Sequence, residues 1–254
     1  MLIDTHCHLD AAEFDPDRES VWLRAFDGGV ERILIPAVER ANFSAVASLC
    51  RHDPAYRGAY GIHPMYVGHA CEDDLDALRD VLIREPTVAV GEIGLDHFVE
   101  ERDDRLQEFY FTEQLRIARA LSLPVVLHVR RAIDPVLKAL RRIPVPGGIA
   151  HAFNGSRQQA DEFIRLGFKL GFGGAMTYPR ALRIRALAVS LPLESIVLET
   201  DAPDIPPEWC AGRRNEPGDL PRIARILADM RGISEEALIA ATGCNAQQAI
   251  PGLV

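Results

Sequence analysis

Short apolar runs of strand length alternate with amphipathic stretches of helical length along the whole chain. Eight runs have the near-continuous hydrophobicity of buried parallel strands, namely Leu2–His6, Arg32–Val38, Ala55–His63, Thr87–Leu95, Pro124–Val129, Gly147–Phe153, Phe168–Gly173 and Ser195–Asp201. The segments between them predict seven helices over Asp15–Asp27, Ala41–Cys50, Asp73–Arg84, Asp103–Leu121, Ala132–Arg141, Ser156–Leu166 and Pro179–Ser190. Eight such units in 254 residues predict an α/β fold, a (β/α)8 TIM barrel that forms a single domain over residues 1–254.

Two further helices are expected after the eighth strand. Asp219 is the predicted N-cap of a helix that has Pro221 in its first turn and runs to about Met230. Ser234 is the predicted cap of a last helix over Glu235–Ala249. An open, doubly wound sheet is the alternative architecture, but the turn after the first strand lacks the G-x-G-x-x-G phosphate fingerprint of that fold. The barrel is therefore favoured.

The composition argues against several classes of protein. A hydrophobic content of 48% is enough for a full core, but no run of 18 apolar residues occurs, so we expect no membrane-spanning helix. The net charge of −9 argues against a protein that coats nucleic acid with a broad basic surface. The N-terminus lacks a signal-peptide pattern and the five cysteines are scattered without a C-x-x-C pair, which predicts reduced thiols and a cytoplasmic location.

Ionisable side chains lie at the carboxyl ends of the predicted strands, where TIM barrels carry their active sites. His6 and His8 share one face of the first strand with Asp4, because side chains alternate along a strand, and Cys7 points the other way. The ends of later strands carry His63, Glu92, His128, His151 and Asp201. Half-buried ionisable groups around one axis need partners, and divalent metal ions are the simplest ones.

Six motifs occur in a fixed order along the chain: THCHLD, YGIHP, GEIGLD, LHVR, HAFNG and ETDAPD. With these motifs the chain resembles the TatD family of metal-dependent deoxyribonucleases, from Ile3 to at least Ala249. The resemblance implies a TIM barrel with two divalent ions. It implies that the first ion is held by His6, His8 and Asp201, the second by His128 and His151, and both by a bridging Glu92. It also implies that His63 and Arg130 bind phosphate.

The resemblance favours Mg as the metal in the cell, whereas the mixed histidine and carboxylate ligands also accept Zn, Mn or Ni. Three residues depart from the family pattern and concern substrate preference: Val129 replaces a frequent Ser or Asn, Arg131 a common acidic residue, and His97 a usual Tyr. Glu199 is expected either to orient a histidine or to accept hydrogen bonds from the backbone or an arginine. Related amidohydrolases often bridge their ions with a carboxylated lysine, and the glutamate in that position here favours a phosphoesterase.

The leading hypothesis is a two-metal hydrolase of DNA phosphodiesters, acting as a 3′→5′ exonuclease on single strands. Asp201 is the predicted general base, and Arg130 would grip a phosphate oxygen in a fork geometry. Single-stranded DNA is the expected partner, because an acidic surface suits a short-range grip better than tracking along a duplex. A hydrolase of small-molecule or aminoacyl-tRNA esters or amides is the alternative, since one site serves many substrates. A non-enzymatic metal-binding protein is a remote third hypothesis.

Overall fold

Eight parallel strands form one sheet in a computed structural model that describes residues 1–254. The strands are β1 (Leu2–Asp4), β2 (Val30–Pro36), β3 (Tyr56–Tyr60), β4 (Thr87–Asp96), β5 (Val125–Arg130), β6 (Gly148–Ala150), β7 (Phe168–Phe172) and β8 (Ile196–Leu198). Each strand pairs in parallel with the next one along the chain. The Thr5 N–H donates to the Leu198 carbonyl at 3.0 Å, which joins the end of the first strand to the end of the eighth. The predicted TIM barrel is confirmed.

Nine α-helices surround the strands. They are α1 (Arg18–Asp27), α2 (Phe43–His52), α3 (Asp73–Arg84), α4 (Asp104–Leu121), α5 (Ile133–Arg142), α6 (Arg157–Arg165), α7 (Leu182–Ser190), α8 (Leu220–Arg231) and α9 (Glu235–Ala249). One helix follows each of the first seven strands, and two follow β8. Each predicted helix is present, with ends that differ from the prediction by three residues at most. No helix is both long and apolar enough to cross a membrane.

Three of the nine α-helices begin with a side-chain cap, and α8 is among the six that do not. Asp103, Ser156 and Ser234 accept hydrogen bonds from backbone N–H groups in the first turns of α4, α6 and α9. Asp219 stands at the predicted N-cap position of α8, but its side chain makes no such bond. Its backbone is helical rather than extended, and its carboxylate accepts the indole N–H of Trp209 at 2.7 Å instead.

Several strands end earlier than the apolar runs predicted, because residues can stay buried after the regular ladder stops. The runs around β1, β3, β6 and β8 extend two to three residues past the last paired residue. Their backbones still make bonds between neighbouring segments, such as the His63 N–H to the Val38 carbonyl at 2.8 Å. The ionisable residues expected at these strand ends therefore lie just beyond them, above the barrel.

The barrel interior is filled by a separate apolar cluster of 12 buried residues. Most of its members lie in the strands, for example Ile3, Leu34 and Val126. The members outside the strands come from the end of α9 and from the turn that follows it. A larger cluster of 58 buried residues packs the helices against the outside of the sheet. The N-terminal end of the barrel is thus plugged by apolar side chains, which leaves the carboxyl end of the strands as the polar end.

Candidate active site

Asp4 fixes the first pair of histidines relative to the end of the barrel. Its fully buried carboxylate accepts hydrogen bonds from the backbone N–H and the hydroxyl of Thr200, at 3.0 and 2.6 Å, and from the His6 N–H at 3.2 Å. The Asp201 N–H in turn donates to the His6 carbonyl at 2.8 Å. These bonds tie the segment after β1 to the segment after β8, so the imidazoles of His6 and His8 lie beside the Asp201 carboxylate.

Glu92 lies at the centre of a ring of five histidines and is itself buried. The five are His6, His8, His63, His128 and His151. Oxygen Oε2 lies 3.2 Å from His6 Nε2 and 3.5 Å from His8 Nε2. Oxygen Oε1 lies between 2.9 and 3.5 Å from the nearest nitrogen of each of the other three. The two oxygens of one carboxylate therefore face two separate groups of imidazoles.

Three groups of side chains present ligand atoms that lie within 4.8 Å of one another. They are His6–His8–Asp201, His6–Glu92–His151 and His63–Glu92–His128. In the first group His6 Nε2 and His8 Nε2 are 3.2 Å apart, and each lies within 3.7 Å of an Asp201 oxygen. His8 is held by its other nitrogen, which lies 3.2 Å from the Pro36 carbonyl. Imidazole nitrogens and carboxylate oxygens that converge in this way are a donor set that suits a divalent ion.

Burial and mutual charge displace the pKa values in this cluster. Burial, helped by His151, holds the pKa of His6 well below its ordinary value. Burial opposes the protonation of His8, but Glu92 and Asp201 outweigh it and raise the pKa of His8 to about 9. Burial would raise the pKa of Glu92, but the surrounding histidines hold it well below its ordinary range. Protons on histidines balance the buried carboxylates here, and a divalent cation at the same place would displace them.

Asp96, for which the sequence analysis named no role, orients His128. Asp96 ends β4 within the GEIGLD motif, and its oxygen Oδ2 lies 3.0 Å from His128 Nε2. Oxygen Oδ1 accepts the Phe98 N–H at 2.8 Å. Burial would raise the pKa of Asp96, but these hydrogen bonds outweigh it and lower the pKa to about 2. An acidic residue at the end of an apolar run is the same signal that identified Asp201, so the sequence contained a cue for it.

Glu199 lies behind His151 and accepts a hydrogen bond from the backbone, which is the second of the two roles expected for it. Its Oε1 accepts the Ala152 N–H at 2.5 Å, whereas His151 Nδ1 lies 3.9 Å away and makes no hydrogen bond. Burial raises the pKa of Glu199 to about 8. Space for its carboxyl group is left by Gly171, where a Cβ atom would come within 2.5 Å of the carboxyl carbon.

The two predicted phosphate-binding residues occupy different environments. His63 lies within the histidine ring, with Nε2 3.5 Å from Glu92 and Nδ1 3.2 Å from the Met65 N–H. Arg130 is exposed at the end of β5 and stacks on the Phe98 ring at 3.8 Å. Cys7 is buried in the apolar core and belongs to none of the ligand groups, as the strand alternation predicted.

A cleft of about 1430 Å³ opens above the histidine ring. Its floor is formed by the cluster around Glu92 and Asp201, and its walls come from the loops that follow the strands. Apolar side chains that include Met65, Phe98 and Ile205 line it together with both acidic and basic groups. A cleft of this size and position accommodates a ligand considerably larger than a water molecule or an ion.

Comparison with known proteins decides the family. A family model described as TatD related DNase matches residues 3–251. The chain belongs to the TatD family. An uncharacterized metal-dependent hydrolase of Escherichia coli K12, YjjV, is 41% identical over 233 residues, which covers 91% of this chain and 90% of that protein. The crystal structure of YjjV superposes with a TM-score of 0.95 at 39% identity and covers 98% of both chains.

A TatD protein of Citrobacter rodentium bears the name 3′-5′ ssDNA/RNA exonuclease. It is 33% identical to this chain over 260 residues and covers 97% of each protein. Together the family match, the metal-dependent relatives and the ligand groups identify this TatD protein as a metal-dependent hydrolase. The residue types at the site fit a divalent metal, as the sequence analysis expected.

Proposed function

We propose that this TatD protein hydrolyses phosphodiester bonds of DNA and acts as a 3′→5′ exonuclease on single strands. The exonuclease name of the Citrobacter rodentium relative supports the substrate. The arrangement of Glu92 carries the proposal, because its Oε1 and Oε2 face separate histidine groups as a bridge between two ions would. We also propose that residues 1–254 form one catalytic domain and that the protein acts in the cytoplasm.

The proposed ligand set follows from that arrangement. His6, His8 and Asp201 would hold the first ion, with Glu92 shared. The second ion would be held by His128, by His151 and by the other oxygen of Glu92. Mg is the proposed metal in the cell. The close approach of His6 Nε2 and His8 Nε2, which lie 3.2 Å apart beside the Glu92 and Asp201 carboxylates, supports a cation between them.

Divalent ions bound here would activate a water molecule and neutralise charge on the phosphodiester. The chain's own residues have three tasks. Asp201 accepts the proton of the attacking water, for which its carboxylate is suited because burial raises its pKa. Arg130 holds a phosphate oxygen through a planar guanidinium. His63, proposed to donate a hydrogen bond to phosphate, is held neutral because burial lowers its pKa to about 4.

The experiment is a hydrolysis assay with end-labelled single-stranded DNA in the presence of Mg or Mn. A ladder that shortens from the 3′ end is expected, with duplex DNA cut more slowly. A panel of carboxylic esters, amides and aminoacyl-tRNA should be run with the same enzyme. Turnover of that panel with intact DNA would overturn the proposal in favour of the alternative hydrolase. A 5′-directed or internal cleavage pattern would retain the nuclease and overturn the direction.

A further inference from the structure

Three arginines line the cleft, and none of them has a carboxylate partner. Arg130 ends β5, Arg131 follows it, and Arg183 lies in the first turn of α7. No carboxylate oxygen lies within 4.0 Å of any of the three guanidinium groups, although the chain has 37 acidic against 28 basic residues. Arg183 donates instead to the side-chain carbonyl of Asn154 at 2.8 Å. Unpaired guanidiniums in the cleft of an acidic protein suit an anionic ligand.

Phe98 holds two of these guanidiniums together. The Cζ atoms of Arg130 and Arg131 lie 3.8 and 4.5 Å from the centroid of its ring. Phe98 reaches this position because β4 and β5 pair Asp96 with Arg130, and because the His97 N–H donates to the Arg130 carbonyl at 2.8 Å. Stacking on an aromatic face fixes each guanidinium in place without neutralising its charge.

The backbone of Arg131 makes this pairing possible. Consecutive residues of an extended strand point to opposite faces, so two neighbouring arginines would ordinarily diverge. Arg131 has a φ of 55°, in the left-handed region that is unfavourable for a side chain other than glycine. This turn brings its guanidinium back to the ring that Arg130 contacts. Strained backbone that places two like charges together is typical of a ligand-binding position.

The charges of the cleft are divided between its walls. Carboxylates from the loops after β1, β2 and β8 line one side, namely Asp10, Glu13, Glu39 and Asp204. The arginines lie on the side formed by the segments after β5 and β7. Asp134 is the acidic residue nearest in sequence to them, and its carboxylate accepts a hydrogen bond from Gln159 at 2.8 Å. A polyanion in the cleft is therefore attracted to the arginine side and repelled from the other.

We propose that Arg131, stacked on Phe98, binds a second phosphate of the substrate strand, next to the phosphate that is cleaved. Arg130 lies between His128 and Arg131 in the sequence and binds the phosphate that is cleaved. Arg183 lies on the same wall of the cleft and would contact the strand farther along. This inference rests on the proposed nuclease function of the site.

The test compares two substrates that differ by one phosphate. The dinucleotide d(TpT) has a single phosphodiester, and the trinucleotide d(TpTpT) has two. Wild-type enzyme is expected to show a kcat/KM about tenfold higher for d(TpTpT), the worth of one charge-assisted contact. Arg131→Gln should abolish most of that preference, and Arg183→Gln should weaken binding of longer oligonucleotides. Arg142→Gln, an exposed arginine at the far end of α5, is the matched control and should keep the preference.

A binding measurement separates this inference from the nuclease proposal. Fluorescence anisotropy with labelled oligo(dT) and the full-length chain gives the affinity at several salt concentrations. Log affinity falls as log salt rises, and this negative slope should become shallower by about 0.7 in Arg131→Gln, as expected for one lost phosphate contact on a single strand. Arg131-dependent binding without turnover would support the subsite and overturn the nuclease. DNA turnover with an unchanged substrate preference and salt slope in Arg131→Gln would overturn the subsite alone.

Discussion

The close packing between Gly171 and Glu199 predicts that Gly171→Ala destabilises the protein. An added Cβ would lie within 2.5 Å of the Glu199 carboxyl carbon, so Glu199 must move away from the Ala152 N–H. Overpacking a rigid core costs about 1–3 kcal/mol, and the lost buried hydrogen bond costs about 1 kcal/mol more. The lower entropy of the unfolded chain with alanine returns about 0.5 kcal/mol. We expect the free energy of unfolding to fall by about 1.5–3.5 kcal/mol.

Urea denaturation at neutral pH of the two single variants and the double variant measures this effect. In a Glu199→Ala background the clash is absent, so Gly171→Ala should then cost less than about 1 kcal/mol and the pair should couple by at least that amount. Gly68→Ala is the matched control, because a Cβ at Gly68 would contact nothing within 4 Å. A neutral Gly171→Ala, or strictly additive effects of the two substitutions, would show that the Glu199 carboxyl group does not pack against Gly171.

Three further predictions concern single side chains of the site. Cys7→Ser should leave the metal stoichiometry unchanged in mass-spectrometric metal analysis, because Cys7 lies in the apolar core; a loss of one ion would contradict its placement. His63→Ala and Arg130→Ala should keep the bound ions and slow DNA cleavage by about tenfold to a hundredfold in steady-state kinetics, with little recovery in Arg130→Lys; loss of metal in His63→Ala would make it a ligand. The pKa of Asp96 is lowered from 3.8 to about 2 in the folded protein. The ionised carboxylate therefore stabilises the fold above pH 3.8, and this stabilisation is lost as the pH falls from 3.8 to about 2. Asp96→Asn should therefore lower the free energy of unfolding by up to about 2 kcal/mol at neutral pH, and urea titrations that show the same deficit near pH 2 would refute this.

The sequence predicted the barrel because apolar periodicity reports burial. Each of the eight predicted runs overlaps a strand, and α3 and α9 begin and end where the pattern predicted. The ends of β1, β3, β6 and β8 were misplaced because burial continues after the ladder stops. Asp219 takes the predicted N-cap position without a side-chain bond, because side-chain capping depends on backbone angles that composition does not reveal.

Much of the site was also accessible from the sequence, since ionisable residues interrupt apolar runs at one end of the barrel. The remaining features depend on contacts between distant segments. Asp4 bonds to Thr200, which lies 196 residues away along the chain, and no local pattern indicates that pairing. The stacking of Arg131 on Phe98 depends on a left-handed backbone at an arginine. Such a conformation is not expected for this residue type, so the sequence predicted only an altered substrate preference there.

The metal content and turnover of Glu92→Ala test the central claim most directly, namely that one carboxylate serves both histidine groups. Wild-type protein should bind up to two divalent ions per chain. Glu92→Ala should bind fewer and should lose DNA hydrolysis with every divalent metal, because no other carboxylate lies within 4.0 Å of histidines from both groups. Glu13→Ala removes a carboxylate elsewhere in the cleft and should keep the wild-type metal content. Wild-type turnover by Glu92→Ala with any divalent metal would contradict the account.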